Sequence, residues 1–382
     1  MSNFVPFNRA KVAPNQVKYV RESMSSGHIS GDGPFTRRAS DHLSRIHNDS
    51  AVLLTTSCTS ALEIAALLLD LNIGDEVIVP SFTFVSSANA FALRGAKIVF
   101  VDICKSNWNL DPDEVARAIG PKTKAIVAVN YAGSPAVTAS LIQIAKEANL
   151  PIIEDNAHGL FAKDLEQPLG VLSSMSTLSF HETKNVTCGE GGGLVINEPR
   201  FIERAEIIRE KGTNRSKFFR GMIDKYTWID KGSSYLLSDI NAAVLLAQLE
   251  DARAIQENRK LMFDYYFANL LDWAEQCGAK LPDHLNHTDS SYHMFPILMP
   301  NYDDRSSLIN HARNASVNLV FHYIPLHSSP GGKLFGHAFS KCSNSISISD
   351  RVLRLPLFSD MNTIEAEQVV ETLISFNRRS RK

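Results

Sequence analysis

The sequence predicts an α/β layered protein: a large domain with a mostly parallel sheet, followed by a small C-terminal α+β domain. Three observations carry this expectation. Between residues 50 and 200, short β-branched runs alternate with segments whose apolar residues recur at helical spacing. The strand-like runs are apolar almost throughout, as strands buried on both faces must be. From residue 238 the alternation stops and longer helical patterns take over, and 382 residues are enough for two domains.

In chain order, strands are expected at 51–54, 75–80, 96–101, 123–129, 150–153, 175–180 and 194–197, each bounded by Gly, Pro or charge. Helical spacing marks 60–71, 86–94, 112–119 and 138–148 between them. Ser238-Asp239 is a helix cap, opening one or two long helices that run to Cys277. A polar connection at 282–291 leads to strands at 293–299 and 317–324 and helices at 304–314 and 363–376. The expected division is an N-terminal arm (1–30), a large domain (31–245) and a small domain (246–382).

Composition excludes several functions. Hydrophobic content of 44%, charged content of 21% and net charge of −2 are ordinary for a globular protein. The one basic cluster, 378–382, reads as a solvated helix end, so neither nucleic acid nor a membrane is an expected partner. The N-terminus lacks a signal-peptide pattern. Five cysteines, at 58, 104, 188, 277 and 342, show no CxxC spacing; reduced thiols in the cytoplasm and no metal site are expected.

The chemistry centres on Lys184, within Ser179-Phe180-His181-Glu182-Thr183-Lys184-Asn185 and ahead of the glycine run 189–193. A lysine on a short turn between two buried strands is a costly place for a charge. Desolvation lowers the pKa of such an amine and makes it a nucleophile for carbonyls. The reading is a Schiff-base lysine for pyridoxal phosphate; the plainer alternative is an exposed loop lysine. Pyridoxal phosphate also needs an anion beside its ring nitrogen, a phosphate cradle and a flat surface.

Each need has a candidate. Asp155, with Glu154, ends the apolar run Pro151-Ile152-Ile153, at the carboxyl edge of a sheet where ligands of open α/β folds sit. His158 can reach the ring hydroxyl, though alone it reads as a polar loop residue. Ser57, Cys58 and Thr59 follow a strand and open a helix, whose free N–H groups and dipole favour a dianion; simple N-capping is the competing reading. Ser179 can add a hydroxyl, and Phe84 can cover the ring or fill the core.

Taken with their order and spacing, these blocks resemble the DegT/DnrJ/EryC family of sugar-nucleotide aminotransferases. The blocks are Thr-Ser-Cys-Thr-Ser-Ala-Leu, Pro-Ser-Phe-Thr-Phe, Ile-Glu-Asp-Asn-Ala-His-Gly, Ser-Phe-His-Glu-Thr-Lys-Asn and Gly-Glu-Gly-Gly. The stretches 209–215, 225–228, 232–239 and 321–327 further resemble the dTDP-4-amino-4,6-dideoxygalactose transaminases of enterobacterial common antigen synthesis.

The resemblance implies a fold-type I, aspartate aminotransferase-like architecture. It also implies Lys184 as the pyridoxal phosphate lysine, Asp155 on the pyridinium, His158 on the ring hydroxyl and Phe84 stacking, with Ser57, Cys58, Thr59 and Ser179 on the phosphate. The donor would be L-glutamate and the acceptor a dTDP-4-keto-6-deoxy sugar. At a homodimer interface, or in a higher homo-oligomer, Ser234 stands where the family places an Asn from the neighbouring subunit, and Leu236 replaces an Arg.

Arg215, His322 and His327 are further candidates for substrate contact. The gluco epimer or a 3-amino sugar remains open as product, and a non-catalytic pyridoxal phosphate-binding regulator is the rival of a different class. No GxGxxG lies between strand and helix, and no HExxH is present, which argues against an oxidoreductase and a metallohydrolase.

Overall fold

A computed structural model describes residues 4–282 and 289–376. The basic cluster at 378–382 and most of the polar connection at 282–291 lie outside the described residues.

Helices α1 (Gln16–Ser25) and α2 (Pro34–Ile46) precede the alternating region. Strand β1 (Ala51–Thr55) is followed by α3 (Cys58–Leu68), β2 (Glu76–Pro80) by α4 (Ser86–Ala92), and β3 (Lys97–Val101) by α5 (Pro112–Ala118). Next come β4 (Thr123–Val129), α6 (Ala139–Glu147) and β5 (Ile152–Asp155). A minimal hairpin, β6 (Lys163–Asp164) with β7 (Gln167–Pro168), leads to β8 (Met175–Ser179) and β9 (Gly192–Ile196). After α7 (Ile202–Arg209) and α8 (Arg215–Phe219) come the long helices α9 (Asp239–Glu250) and α10 (Ala252–Cys277).

The remaining elements are β10 (Phe295–Leu298), α11 (Tyr302–Asn314), β11 (Val320–Phe321), α12 (Pro330–Phe335), β12 (Gly336–Ala338), α13 (Ser343–Arg351), β13 (Val352–Leu355) and α14 (Thr363–Ser375). The largest sheet has eight strands in the order β1-β9-β8-β5-β4-β2-β3-β12. Only β9 runs antiparallel to its neighbours, β1 and β8; all other pairs are parallel. The expected mostly parallel sheet is thus present.

Alternation explains why its strands read as unbroken apolar runs. Val77 and Val79 face a core shared with α3 and α4, while Ile78 between them faces the core under α5 and α6. A third core joins Val52, Leu54 and Val195 to α2 and α9. The C-terminal elements build their own core around Phe295, Tyr266, Leu308, Leu353 and Val369, which also takes in Val5 of the arm. They form a three-stranded sheet, β10-β13-β11.

Several boundaries differ from expectation for local physical reasons. Helix α3 begins at Cys58 rather than 60, because the Ser57 hydroxyl caps it by accepting from Ser60 N at 3.0 Å. Strand β5 runs through Asp155, since Glu154 and Asp155 are buried and still pair with β4 and β8. Strand β9 starts two residues early, at Gly192, which faces Thr55 of β1 on one side and Ser179 of β8 on the other. The strand expected over 317–324 is only two residues long, and β12 and β13 were not among the expected strands.

Candidate active site

The carboxyl ends of β2, β5 and β8, the start of α3 and the Lys184 turn enclose a cavity of about 330 Å³, in the usual range for small-molecule sites. Of the candidates, Lys184, Asp155, His158, Phe84, Ser57, Cys58, Thr59, Ser179 and His322 line it together.

The Lys184 amine is lowered from 10.5 to about 8, chiefly by burial, with the Arg354 charge pushing the same way and Asp155 opposing. Its turn is clamped from several directions. Lys184 N donates to His181 O at 2.9 Å. The neighbouring Asn185 amide donates to Ser291 O at 2.6 Å and Gln256 Oε1 at 3.0 Å, and Ser359 Oγ donates to Asn185 O at 3.1 Å. The amine is therefore delivered by a rigid loop, as proximity catalysis requires.

Asp155 accepts from Ser87 Oγ at 2.6 Å and from Ala157 N at 3.2 Å. Burial pushes its carboxyl up, while those bonds and the Lys184 charge pull it down. No arginine pairs with it among the described residues, so a cationic group in the cavity is its natural complement. His158 is buried, its Nδ1 has no hydrogen-bond partner, and burial holds the imidazole neutral. Its ring stacks on His293 at 4.6 Å between centroids.

The candidate anion cradle at the α3 N-terminus is tightly built. A Cβ on Gly192 would lie 2.2 Å from Ser57 C and 2.3 Å from Cys58 N, so β9 passes against the α3 N-terminus as only glycine permits. Thr59 Oγ1 and Ser86 Oγ are 2.8 Å apart beside it. Cys58 Sγ lies 3.4 Å from Thr177 Oγ1, and burial keeps its thiol protonated. Phe84 is 55% exposed and lines the cavity, so it is no core filler; the neighbouring Phe82, 1% exposed, fills that part of the core.

Three candidates stand elsewhere. Arg215 pairs with Glu210 at 3.0 Å and lies over the Phe219 and Tyr226 rings. Ser234 is exposed and bridges to Glu210. His327 Nδ1 sits 2.5 Å from Ser81 Oγ, which ties the segment after β11 to the end of β2. None of the three lines its own chain's cavity. His322 does; its Nδ1 is 3.1 Å from the Tyr131 hydroxyl, and its ring stacks on Tyr323 at 3.7 Å.

Cavity residues that escaped the sequence reading include Phe7, Asn8, His293, Tyr323 and Arg354. Arg354 had a usable signal, a charge inside the apolar run Val352-Leu353-Arg354-Leu355. The arm residues had none.

Residues 11–374 match the DegT/DnrJ/EryC1/StrS aminotransferase family. The chain belongs to that family. It is a pyridoxal phosphate-dependent aminotransferase of fold-type I architecture. It is 29% identical to an uncharacterized protein of Methanocaldococcus jannaschii, over 98% of this chain and 99% of that one. Among solved structures, DesV of S. venezuelae is 28% identical with a TM-score of 0.87, and the aminotransferase TlmJ of Streptoalloteichus hindustanus 25% with 0.88. Each alignment covers 98% of both chains. PseC of Helicobacter pylori, at 22% identity and TM-score 0.88 over 97% of this chain and 98% of its own, shares the fold.

The cavity fits the cofactor. An amine near neutrality, an uncompensated buried carboxylate, an unpartnered buried imidazole nitrogen and a helix N-terminus with hydroxyls meet its four functional groups. Among the described residues no cluster is fit to hold a metal ion, and no helix is long and apolar enough to cross a membrane.

Proposed function

We propose that the protein transfers the amino group of L-glutamate to C4 of dTDP-4-keto-6-deoxy-D-glucose. The product would be dTDP-4-amino-4,6-dideoxy-D-galactose, made in the cytoplasm for cell-surface glycan synthesis. The observation that carries the aminotransfer is the Lys184 amine, lowered to about 8, facing Asp155 across one cavity. The finer choice of sugar is supported by the stretches 209–215, 225–228, 232–239 and 321–327, which resemble the 4-amino-4,6-dideoxygalactose branch.

Pyridoxal phosphate supplies an aldehyde for an amine and a ring that accepts the electrons released at the donor carbon. Lys184 Nζ would hold the cofactor and serve as general base and acid, its pKa of about 8 suiting both near neutrality. Asp155, oriented by Ser87 Oγ and Ala157 N–H, would supply the anion for the ring nitrogen. Ser57, Cys58, Thr59 and Ser179 would bind the phosphate, the first three aided by the α3 dipole. Phe84 would offer the ring a flat surface, and His158 a partner for its hydroxyl. Ser234, outside its own chain's cavity, serves the phosphate site of a second copy, so the working unit is at least a homodimer. Arg215 and His327 would then act on the sugar nucleotide from outside the cofactor pocket, and His322 from its wall.

The test is the visible absorbance of the purified protein. It should bleach with L-glutamate and recover with dTDP-4-keto-6-deoxyglucose, and proton coupling constants of the product should report an axial amine at C4. Lys184→Ala should abolish turnover; retained turnover removes Lys184 from the mechanism. Absence of bleaching with L-glutamate would favour the non-catalytic regulator, and bleaching without recovery on this keto-sugar would mean a different acceptor.

A further inference from the structure

Three consecutive residues ahead of β10, Ser291-Tyr292-His293, meet both the lysine turn and His158. Ser291 O accepts from Asn185 Nδ2 at 2.6 Å and from Gln256 Nε2 at 3.1 Å, while Ser291 Oγ donates to His158 O at 2.7 Å. His293 repeats the pattern with its side chain. Its Nδ1 lies 2.9 Å from Asn185 Oδ1, and its ring stacks on that of His158, with 4.6 Å between centroids and 21° between planes. His158 has need of such support, since its buried Nδ1 has no hydrogen-bond partner.

The segment is itself anchored. Buried Arg259 of α10 donates from Nε to Tyr292 O at 2.9 Å and from Nη2 to His293 O at 2.6 Å. Little room is left around Ser291: a Cβ on Gly133 would lie 2.2 Å from its Oγ. Tyr292 sits at a φ of 47°, a left-handed conformation that a bulky residue keeps only where its surroundings impose it. The backbone that carries His293 is therefore fixed by its own contacts.

The chemistry of the partners sets the His293 tautomer. Ser291 O can only accept, so the nitrogen of the Asn185 amide faces it and Oδ1 faces His293. An amide oxygen can only accept as well. The His293 proton therefore stands on Nδ1, and Nε2 is bare. Burial, with the Lys184 charge adding to it, holds this imidazole neutral. A neutral ring of fixed tautomer can hold the Asn185 amide at its edge while it supports the His158 ring on its face.

We propose that His293 is a positioning residue that sets the Lys184 amine and the His158 ring in one register, its edge acting on the first through Asn185 and its face on the second. This rests on the roles given above to Lys184 and His158. The aldehyde and the hydroxyl of pyridoxal phosphate stand on adjacent ring carbons, so the two side chains that meet them have little freedom relative to each other. A single residue in contact with both sides of that pair supplies the constraint.

Two variants separate edge from face. His293→Phe keeps a flat ring for His158 and removes the donor to Asn185. His293→Asn places an amide nitrogen where Nδ1 stands and removes the ring. In cofactor-free protein, uptake of pyridoxal phosphate at Lys184, followed by absorbance and borohydride trapping, should slow about tenfold in His293→Phe, as for one lost buried hydrogen bond. In His293→Asn, where the bond is restored, it should return to within about threefold of the unaltered rate. Nitrogen relaxation of the His158 ring, in cofactor-free protein labelled in histidine, should show the opposite order: a fixed ring in His293→Phe and a mobile one in His293→Asn.

The same spectra of the unaltered protein should show His293 protonated at Nδ1 alone, a readout that needs no variant to fold. A proton on Nε2 would overturn the proposal. So would equal slowing of uptake in both variants with the His158 ring equally fixed, which would make His293 a filler of the wall. Failure of the unaltered protein to form a borohydride-stable adduct at Lys184 would instead count against the cofactor reading, and the spectra would still decide the contacts of His293.

Discussion

The acidity of Lys184 is the most exposed quantity in this reading, and pH is the perturbation that tests it. Burial lowers the amine from 10.5 to about 8. At pH 7 an ordinary lysine is neutral in about 3 of 10⁴ molecules, and one at pKa 8 in about 1 of 11, a gain of roughly 300-fold in the nucleophilic form. Cofactor-free protein mixed with pyridoxal phosphate in stopped flow should bind it at a rate that climbs about tenfold per pH unit below 7 and levels off through 8. An acetylated free lysine, run in parallel, cancels the cofactor's own ionisation and should keep climbing toward 10.5. The ratio of the two rates should therefore fall by roughly 200-fold between pH 7 and 11. Signs can be checked with variants. Asp155 raises the amine, so Asp155→Asn should move the midpoint down; Arg354 lowers it, so Arg354→Gln should move it up. A rate that rises in parallel with the free lysine up to pH 10 would refute the buried-amine argument.

Gly192→Ala would place a Cβ 2.2 Å from Ser57 C, so the β1–α3 turn must retreat by about 1 Å; the Kd for pyridoxal phosphate in reconstitution titrations should rise about 10²-fold. An unchanged Kd would show that the phosphate binds elsewhere. Asp155→Asn retains an oxygen for Ser87 but removes the negative charge. Turnover should drop about 10²-fold or more with the cofactor still bound after dialysis. Asp239→Ala removes the acceptor of Thr36 N (2.7 Å), Thr36 Oγ1 (2.9 Å) and Phe35 N (3.3 Å) at the start of α2. Urea denaturation should show about 1–3 kcal/mol of lost stability.

What the sequence made legible and what it hid follow from one physical difference. A strand such as β2 or β4, covered by helices on both faces, is apolar almost throughout, and so announces itself locally. The lysine turn was legible for the opposite reason: no packing role accounts for Lys184 between two buried strands. Both lie on one sheet edge, and the glycine run beside them marks the close pass of β9 against α3. The small residues at 57–59 were legible too, because a helix that opens with hydroxyls after a strand is a local pattern.

The other wall had no such source. Phe7, His293, Tyr323 and Arg354 come from the arm, the segment before β10, the segment after β11, and β13. Each of these segments is four residues or fewer of regular structure, too short for a period to show. Strand β12, Gly336-His337-Ala338, is an edge strand on β3 with exposed residues and carries no apolar pattern at all. Such positions are fixed by contacts across more than a hundred residues, as from Asn8 to Glu182, so their meaning exists only after folding. The cofactor half of the site is thus written in local pattern, because a sheet edge builds it. The facing half is written in convergence, because segments of the arm and of the C-terminal elements meet there only in the folded chain.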